Sequence, residues 1–270
     1  MLPISTLSIS NLEYQTRLDR LRAHLTANSL TGVILTNRDY LLYYTGFAFI
    51  PTERPIAFVM NAAGETGMFV PRLELEHAQS RAVVQRVDHY LEYPSKPHPM
   101  ELFRAMLDEM GIFAGNYAAD HDGYPWIFGY RGLTFSDLAG QPPRSIIAFI
   151  EDQMMIKSPA EIALIKESIK WANLAHTLLQ RYTRPGLTET EVTQRASHEA
   201  TLAMLDAIGP LYRAQSYFAH GAEAGYRGQI GRNAAIPHAL AANLTFQPGD
   251  VLVTGANATM WGYFSELERT

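Results

Sequence analysis

The sequence predicts a two-domain protein of mixed α and β structure. The first half alternates amphipathic helix patterns with short apolar segments, and the second half has two well-capped helices followed by a β-rich stretch. At 270 residues the chain is long for one domain and sufficient for two. We therefore predict a small mixed α/β domain over residues 1–152 and a second domain over residues 153–270.

The predicted first domain is a mixed sheet covered by helices. Leucines at helical spacing indicate a helix at its start, and short apolar runs bounded by turn residues indicate strands. In chain order, we predict a helix at 11–28, a strand at 32–36, a hairpin of 56–60 and 66–70, a strand at 83–87, a helix near 100–110, a strand at 117–119, and a strand at 146–150 before a linker at 151–157.

The predicted second domain opens with two helices whose starts are marked by capping residues. Ser158 precedes a proline at the first helical position, and Glu161 stands three residues after the cap. Thr188 and Glu191 repeat this spacing at a second start, from which an amphipathic helix continues to about residue 207.

The last twenty residues are predicted to form a hairpin. Residues 251–253 are an apolar run after a Pro-Gly-Asp turn, and residues 260–264 are its expected partner across 255–258. Beyond this hairpin Glu266 and Glu268 would point to the same face of a strand. Two carboxylates that share a face with a nearby histidine are typical of general acid and base sites, although a solvated strand end gives the same pattern.

Composition narrows the possible functions. The chain has no cysteine, which excludes disulfides, thiolate nucleophiles and cysteine-bound zinc. A formal net charge of −5 gives no electrostatic reason to expect nucleic acid or an anionic membrane as a partner. Phosphate-binding glycine loops and serine nucleophile elbows are absent from the sequence, and no signal-peptide pattern or apolar run near twenty residues is present. We therefore expect a cytoplasmic protein that acts on a small molecule.

Three segments near the end carry a family resemblance. They read NAAIPH at 233–238, GDVL at 249–252 and GYFSELERT at 262–270. The combination resembles the creatinase, prolidase and aminopeptidase P family, whose catalytic domain has the pita-bread fold and follows a smaller α/β domain. The resemblance implies a hydrolase that cleaves a C–N bond in a small zwitterionic amide, guanidine or Xaa-Pro-like substrate. A family member would be about halfway through its catalytic domain at residue 270, so a fragment is expected.

The resemblance also implies a metal-free site. Metal-dependent members have an aspartate eleven residues before a second aspartate, and these positions fall on Gly255 and Glu266 here. Glycine has no side chain to bind a metal, and the ending LERT is similar to that of the metal-free creatinase branch. We therefore expect no cofactor, with His238, oriented by the preceding proline at a strand end, as the acid–base group and Glu268 holding the cationic part of the substrate.

Two alternatives remain. One is a metal-dependent Xaa-Pro peptidase that uses Mn, Co or Zn, with Glu266 as a ligand. The other is a non-catalytic dimeric binding relative that keeps the fold.

The resemblance further implies a homodimer in which the small domain completes the neighbouring site. Arg54, for which no partner is predicted in its own chain, would then lie near the other subunit's substrate, although an exposed turn arginine is equally consistent with the sequence. Glu266, Tyr263 and His220 are the other predicted substrate-binding residues.

Overall fold

The computed structural model describes residues 7–124, 130–209 and 221–270. Two compact units are present, one formed by Ile9–Ile156 and the other containing Lys157–Thr270. Helices and strands occur in both, so the predicted mixed α and β fold class is confirmed.

The helices and strands are numbered in chain order. The helices are α1 (Asn11–Ala27), α2 (Arg38–Thr45), α3 (Leu75–Arg81), α4 (Pro99–Glu109), α5 (Phe135–Ala139), α6 (Ile147–Met155), α7 (Pro159–Tyr182) and α8 (Glu189–Ile208). The strands are β1 (Gly32–Leu35), β2 (Ala57–Asn61), β3 (Thr66–Pro71), β4 (Arg86–Tyr90), β5 (Ala118–Ala119), β6 (Arg144–Ser145), β7 (Ala222–Gly225), β8 (Thr254–Met260) and β9 (Tyr263–Arg269).

The first unit is a mixed sheet with an apolar layer on each face. Its strand order is β4-β3-β2-β1-β5-β6, with β1 antiparallel to β2 and parallel to β5. Alternate residues of β1 enter different cores: Val33 and Leu35 join one cluster, and Ile34 joins the other. The predicted hairpin of β2 and β3 is confirmed.

Two predictions in this unit are corrected, and the first is a shift: the strand predicted at 83–87 lies at Arg86–Tyr90. Residues 146–150 were predicted as a strand and 151–157 as a linker, but Ile147–Met155 is helix α6 and the strand is the shorter β6 before it. Burial recurs at Ile146, Ile150 and Gln153, which is helical spacing. A short apolar run does not by itself distinguish a buried strand from a buried helix.

The second unit begins with the two predicted capped helices. The Ser158 hydroxyl accepts a hydrogen bond from the Glu161 amide, and the Glu161 carboxylate accepts one from the Ser158 amide. Thr188 and Glu191 make the same reciprocal pair at the start of α8. Each pair satisfies two backbone N–H groups that the helix itself leaves without partners.

The hairpin of β8 and β9 differs from its prediction. The strand runs through residues 254–260, which include the predicted turn, and the actual turn is Trp261-Gly262. Both turn residues have positive φ, 53° and 81°, as a two-residue type I′ turn requires. The prediction failed because the small residues of β8 resemble a loop. Their size instead allows close approach of α7, whose Ser168 hydroxyl donates to the Ala258 carbonyl at 2.6 Å.

Candidate functional site

The antiparallel sheet β7-β8-β9 has two chemically different faces. Thr254, Ala256 and Ala258 alternate on the buried face, which packs against α7. The opposite face carries two rows of directly paired residues. Glu223, Asn257 and Glu266 form the first row, and the second consists of Gly225, Gly255 and Glu268.

A cavity of about 330 Å³ lies over the face that carries these two rows. Side chains of α8, including Thr193 and Ser197, form one wall, and the strands contribute the first row and the two glycines of the second. Ser197 is held in place because its hydroxyl accepts from the Ala224 amide at 3.1 Å. The cavity therefore combines polar side chains with glycine backbone that carries no side chains.

Arg227 lies over the backbone of Gly255. The guanidinium lies beside Gly255, where a Cβ atom would be 3.1 Å from Nη2 and 3.2 Å from Cζ. Nη2 also donates a hydrogen bond to the Glu268 carboxylate. Arg227 was not predicted as a site residue, because neither its spacing nor its neighbours form a pattern that indicates a site.

A buried carboxylate fixes the loop that follows Arg227. Glu189 is 2% exposed and accepts hydrogen bonds from the amides of Gly228 at 2.9 Å, Ala242 at 2.7 Å and Leu244 at 3.2 Å. Gly228 is required there, since it has φ +73° and a Cβ would be 2.0 Å from the Leu240 carbonyl oxygen. Glu189 was not predicted either, although its place at the first position of α8 suits an acidic residue.

The structure separates the predicted site residues. Glu266 is exposed and lines the cavity. The Glu268 carboxylate binds Arg227, a cation of its own chain, whereas it was predicted to hold a cationic substrate group. Tyr263 lies on the opposite face of β9, where its hydroxyl donates to Glu161 at 2.9 Å, so it does not share a face with Glu266.

The two predicted histidines are placed differently from the expectation. His238 is exposed and has φ +56°, in a loop that follows a 3-10 helix at Gly231–Ala235, so the predicted strand end before it is wrong. The residues that line the cavity do not include it. His220 lies outside the described residues.

Arg54 has partners in its own chain, which corrects the prediction that it has none. Its Nη1 donates to Glu53 at 2.5 Å and its Nε donates to Glu92 at 2.9 Å. The hydrogen bond to Glu92 is the main cause that raises the pKa of Arg54. Because the guanidinium is already paired twice, a substrate carboxylate would have to compete with these two glutamates.

A third histidine, His176 of α7, is buried beneath the sheet. Its Nε2 and the Thr254 hydroxyl are 2.9 Å apart, and that hydroxyl donates to the Arg269 carbonyl. Burial lowers the pKa of His176, and the positive charge of Arg269 lowers it further. His176 is therefore a neutral, structural residue near neutral pH.

The side chains that line the cavity supply only part of a metal site. Glu223, Asn257 and Glu266 offer the carboxylate and amide oxygens that hard divalent ions prefer. Gly255 offers none, and within 7–124, 130–209 and 221–270 no group of three or more His, Cys, Asp or Glu side chains is arranged to hold a metal ion. The described residues therefore do not complete a metal site by themselves.

Comparison with known proteins identifies both halves of the chain. Residues 17–116 match the model of the creatinase/prolidase N-terminal domain, and residues 163–270 match that of metallopeptidase family M24. A Xaa-Pro dipeptidase of Lactobacillus delbrueckii subsp. lactis is 22% identical, covering 94% of this chain and 64% of its own length. A probable dipeptidase PepE of Mycobacterium tuberculosis is 24% identical, covering 93% and 61%.

Solved structures share the fold. The dipeptidase PepE from Mycobacterium ulcerans has a TM-score of 0.72 at 21% identity, covering 97% of this chain and 65% of its own. The Xaa-Pro dipeptidase from Bacillus anthracis has a TM-score of 0.67 at 20% identity, covering 95% and 64%. The chain thus spans less than two thirds of the length of these relatives. In the described part of the chain, no helix is long and apolar enough to cross a membrane.

These matches correct one expectation and confirm another. The expectation of no cofactor is wrong, because the second half of the chain matches a family described as metallopeptidases and its relatives are named Xaa-Pro dipeptidases. The family resemblance is confirmed, since the two models together cover most of the chain. The chain belongs to the creatinase and prolidase family, with a creatinase/prolidase N-terminal domain followed by an M24-type peptidase domain.

Proposed function

We propose that this protein is a metal-dependent hydrolase of dipeptide-like substrates, of the Xaa-Pro dipeptidase type. The observation that carries the proposal is the row of Glu223, Asn257 and Glu266 on one face of the sheet, at a cavity in the unit that matches M24. Carboxylate oxygens on a rigid sheet suit Mn, and Zn also accepts carboxylate ligands, so Mn, Co and Zn are the ions to test. Glu266 is the side chain through which such an ion would contact this sheet.

The size and charge of the cavity favour a small cationic or zwitterionic substrate. Its volume of about 330 Å³ is at the small end of the range for ligand pockets. Glu223 and Glu266 bring two carboxylates to it, which attract the free ammonium group of a dipeptide. A long peptide or a nucleic acid would not be favoured by this arrangement.

His238 is proposed as the group that protonates the leaving nitrogen. Its exposure leaves the imidazole accessible to water, and histidine is the side chain that most often acts as a general acid or base. The loop that carries it is anchored at residues 228, 242 and 244 by Glu189. This role of His238 is part of the proposal, and so is the division of the chain into domains at 1–152 and 153–270.

The test is hydrolysis of Ala-Pro by the purified protein before and after chelation, with Mn, Co or Zn restored in turn. We expect activity to be lost on chelation and regained with at least one ion. Glu266→Gln should lower both activity and metal content, whereas Asp206→Asn, an exposed carboxylate on α8 away from the cavity, should change neither. Activity that survives chelation, or that is unaffected by Glu266→Gln, would contradict the proposal.

A second candidate is the non-catalytic binding relative. It is favoured by Gly255 and by the guanidinium of Arg227 that lies against it, because this arrangement leaves one side of the cavity without a carboxylate. This candidate requires binding of dipeptides without turnover under every metal condition of the same assay.

A further inference from the structure

Among the described residues that line the cavity, one cation accompanies the carboxylates. Arg227 lines it together with Glu223 and Glu266, and its side chain is 46% exposed, so the guanidinium is accessible to a molecule that enters. A binding site with both signs of charge is complementary to a zwitterion rather than to a simple cation.

The absence of a side chain at Gly255 leaves room for the guanidinium. Gly225 and Gly255 are paired across β7 and β8, in the same row as Glu268 of β9. A Cβ at Gly255 would have Nη2, Cζ and Nε as its nearest neighbours, so Nη1 is the guanidinium nitrogen farthest from that position. Because Nη2 donates to Glu268, Nη1 is the nitrogen that we expect to meet a ligand.

Neighbouring contacts hold Arg227 in this place. Glu268 accepts from Nη2, and Glu189 accepts from the amide of the next residue, Gly228. Because the Arg227 and Glu268 side chains are each about half exposed, their ion pair contributes little to stability. What the pair does is orient the planar donor group, which binds carboxylates through parallel N–H groups.

We propose that Arg227 binds the carboxylate of a zwitterionic dipeptide, whose ammonium group lies toward Glu223 and Glu266. The inference rests on the proposed function for the class of substrate. It adds the direction in which the dipeptide binds and the residue that recognises its carboxylate.

The test is equilibrium binding of two hydrolysis-resistant ligands by titration calorimetry. The first is an Ala-Pro analogue in which a ketomethylene group replaces the peptide bond, and the second is its C-terminal carboxamide. The wild-type protein should bind the carboxylate about 10- to 100-fold more tightly, the range that a charge-assisted hydrogen bond provides. Arg227→Gln should lose this preference and bind the carboxamide as the wild type does.

Two further variants serve as controls. Arg232→Gln removes an exposed arginine five positions along the chain that does not line the cavity, and it should keep the full preference. Gly255→Ala keeps every charge but introduces a Cβ at 3.1 Å from Nη2, so it should displace the guanidinium and give an intermediate preference. Melting temperatures of all variants check that the fold is retained.

The outcomes separate this inference from the proposed function. Equal affinity of the wild type for both ligands, no binding of either, or a preference retained in Arg227→Gln would overturn the inference. If Ala-Pro is hydrolysed in any of these cases, the hydrolase proposal stands. If the preference depends on Arg227 but no turnover occurs, only the hydrolase proposal fails.

Discussion

Replacement of Glu189 should destabilise the loop that joins β7 to β8. Glu189→Ala removes three hydrogen bonds that a buried carboxylate accepts from the backbone. An unsatisfied buried N–H costs about 1–3 kcal/mol. The Gly228 amide is buried and those of Ala242 and Leu244 are partly buried, so the loss of all three hydrogen bonds should cost roughly 3 kcal/mol. That is a large fraction of the 5–15 kcal/mol that typically stabilises a domain.

Glu189→Gln should cost less. The amide oxygen can replace Oε1, which serves Ala242 and Leu244, but the amide nitrogen would face the Gly228 N–H, donor against donor. One buried N–H is then left without an acceptor, at a cost of about 1–3 kcal/mol. The matched control is Glu191→Gln in the exposed capping box two residues away, which should have the smallest effect of the three.

Urea denaturation followed by tryptophan fluorescence measures these differences, because Trp171 and Trp261 lie in this unit. Amide hydrogen exchange adds a local readout: in Glu189→Gln the Gly228 amide should lose more protection than those of Ala242 and Leu244. The reasoning would be refuted if Glu189→Ala were as stable as the wild type, or if Glu191→Gln lost as much stability as Glu189→Ala.

Three other predictions concern histidines and assembly. Burial lowers the pKa of His176 below 6.5, so the unfolded chain binds more protons at this histidine than the folded chain does. The stability advantage of the wild type over His176→Gln should therefore shrink as pH falls below about 6.5. Urea denaturation between pH 5 and 8 measures this, and a constant difference would contradict it. His238→Ala should lower Ala-Pro turnover about 10²- to 10⁴-fold with an unchanged melting temperature; His238→Asn, which also tolerates positive φ, should match it, and near-normal turnover in either would reject the role. The homodimer implied by the family resemblance should be seen by light scattering at micromolar concentration, and a monomer with full activity would rule it out.

Local signals in the sequence predicted local structure well. The capping residues Ser158 and Thr188 mark helix starts because their partners stand three residues away. The β2–β3 hairpin was equally accessible, since its strands are apolar and its turn is short. In such cases the information is contained in a few neighbouring residues.

The site was harder to predict because its residues meet only through tertiary structure. Arg227 reaches Glu268, forty-one positions along the chain, over a space that exists because Gly255 has no side chain. The absent carboxylate at Gly255 was visible in the sequence, but the cation beside it was not. The strand β8 was misplaced because its small polar residues suit a turn as well as a surface packed against a helix.

The turn at Trp261-Gly262 determines which side chains reach the cavity. With two residues in the turn, Glu266 is level with Asn257, and Glu268 is level with Gly255. Successive residues of a strand point to opposite faces, so a slip of one residue would turn both glutamates toward α7 and bring Ser265 and Leu267 to the cavity. Evolution could therefore exchange individual side chains of this site one at a time, whereas the number of residues between the two strands has to remain the same.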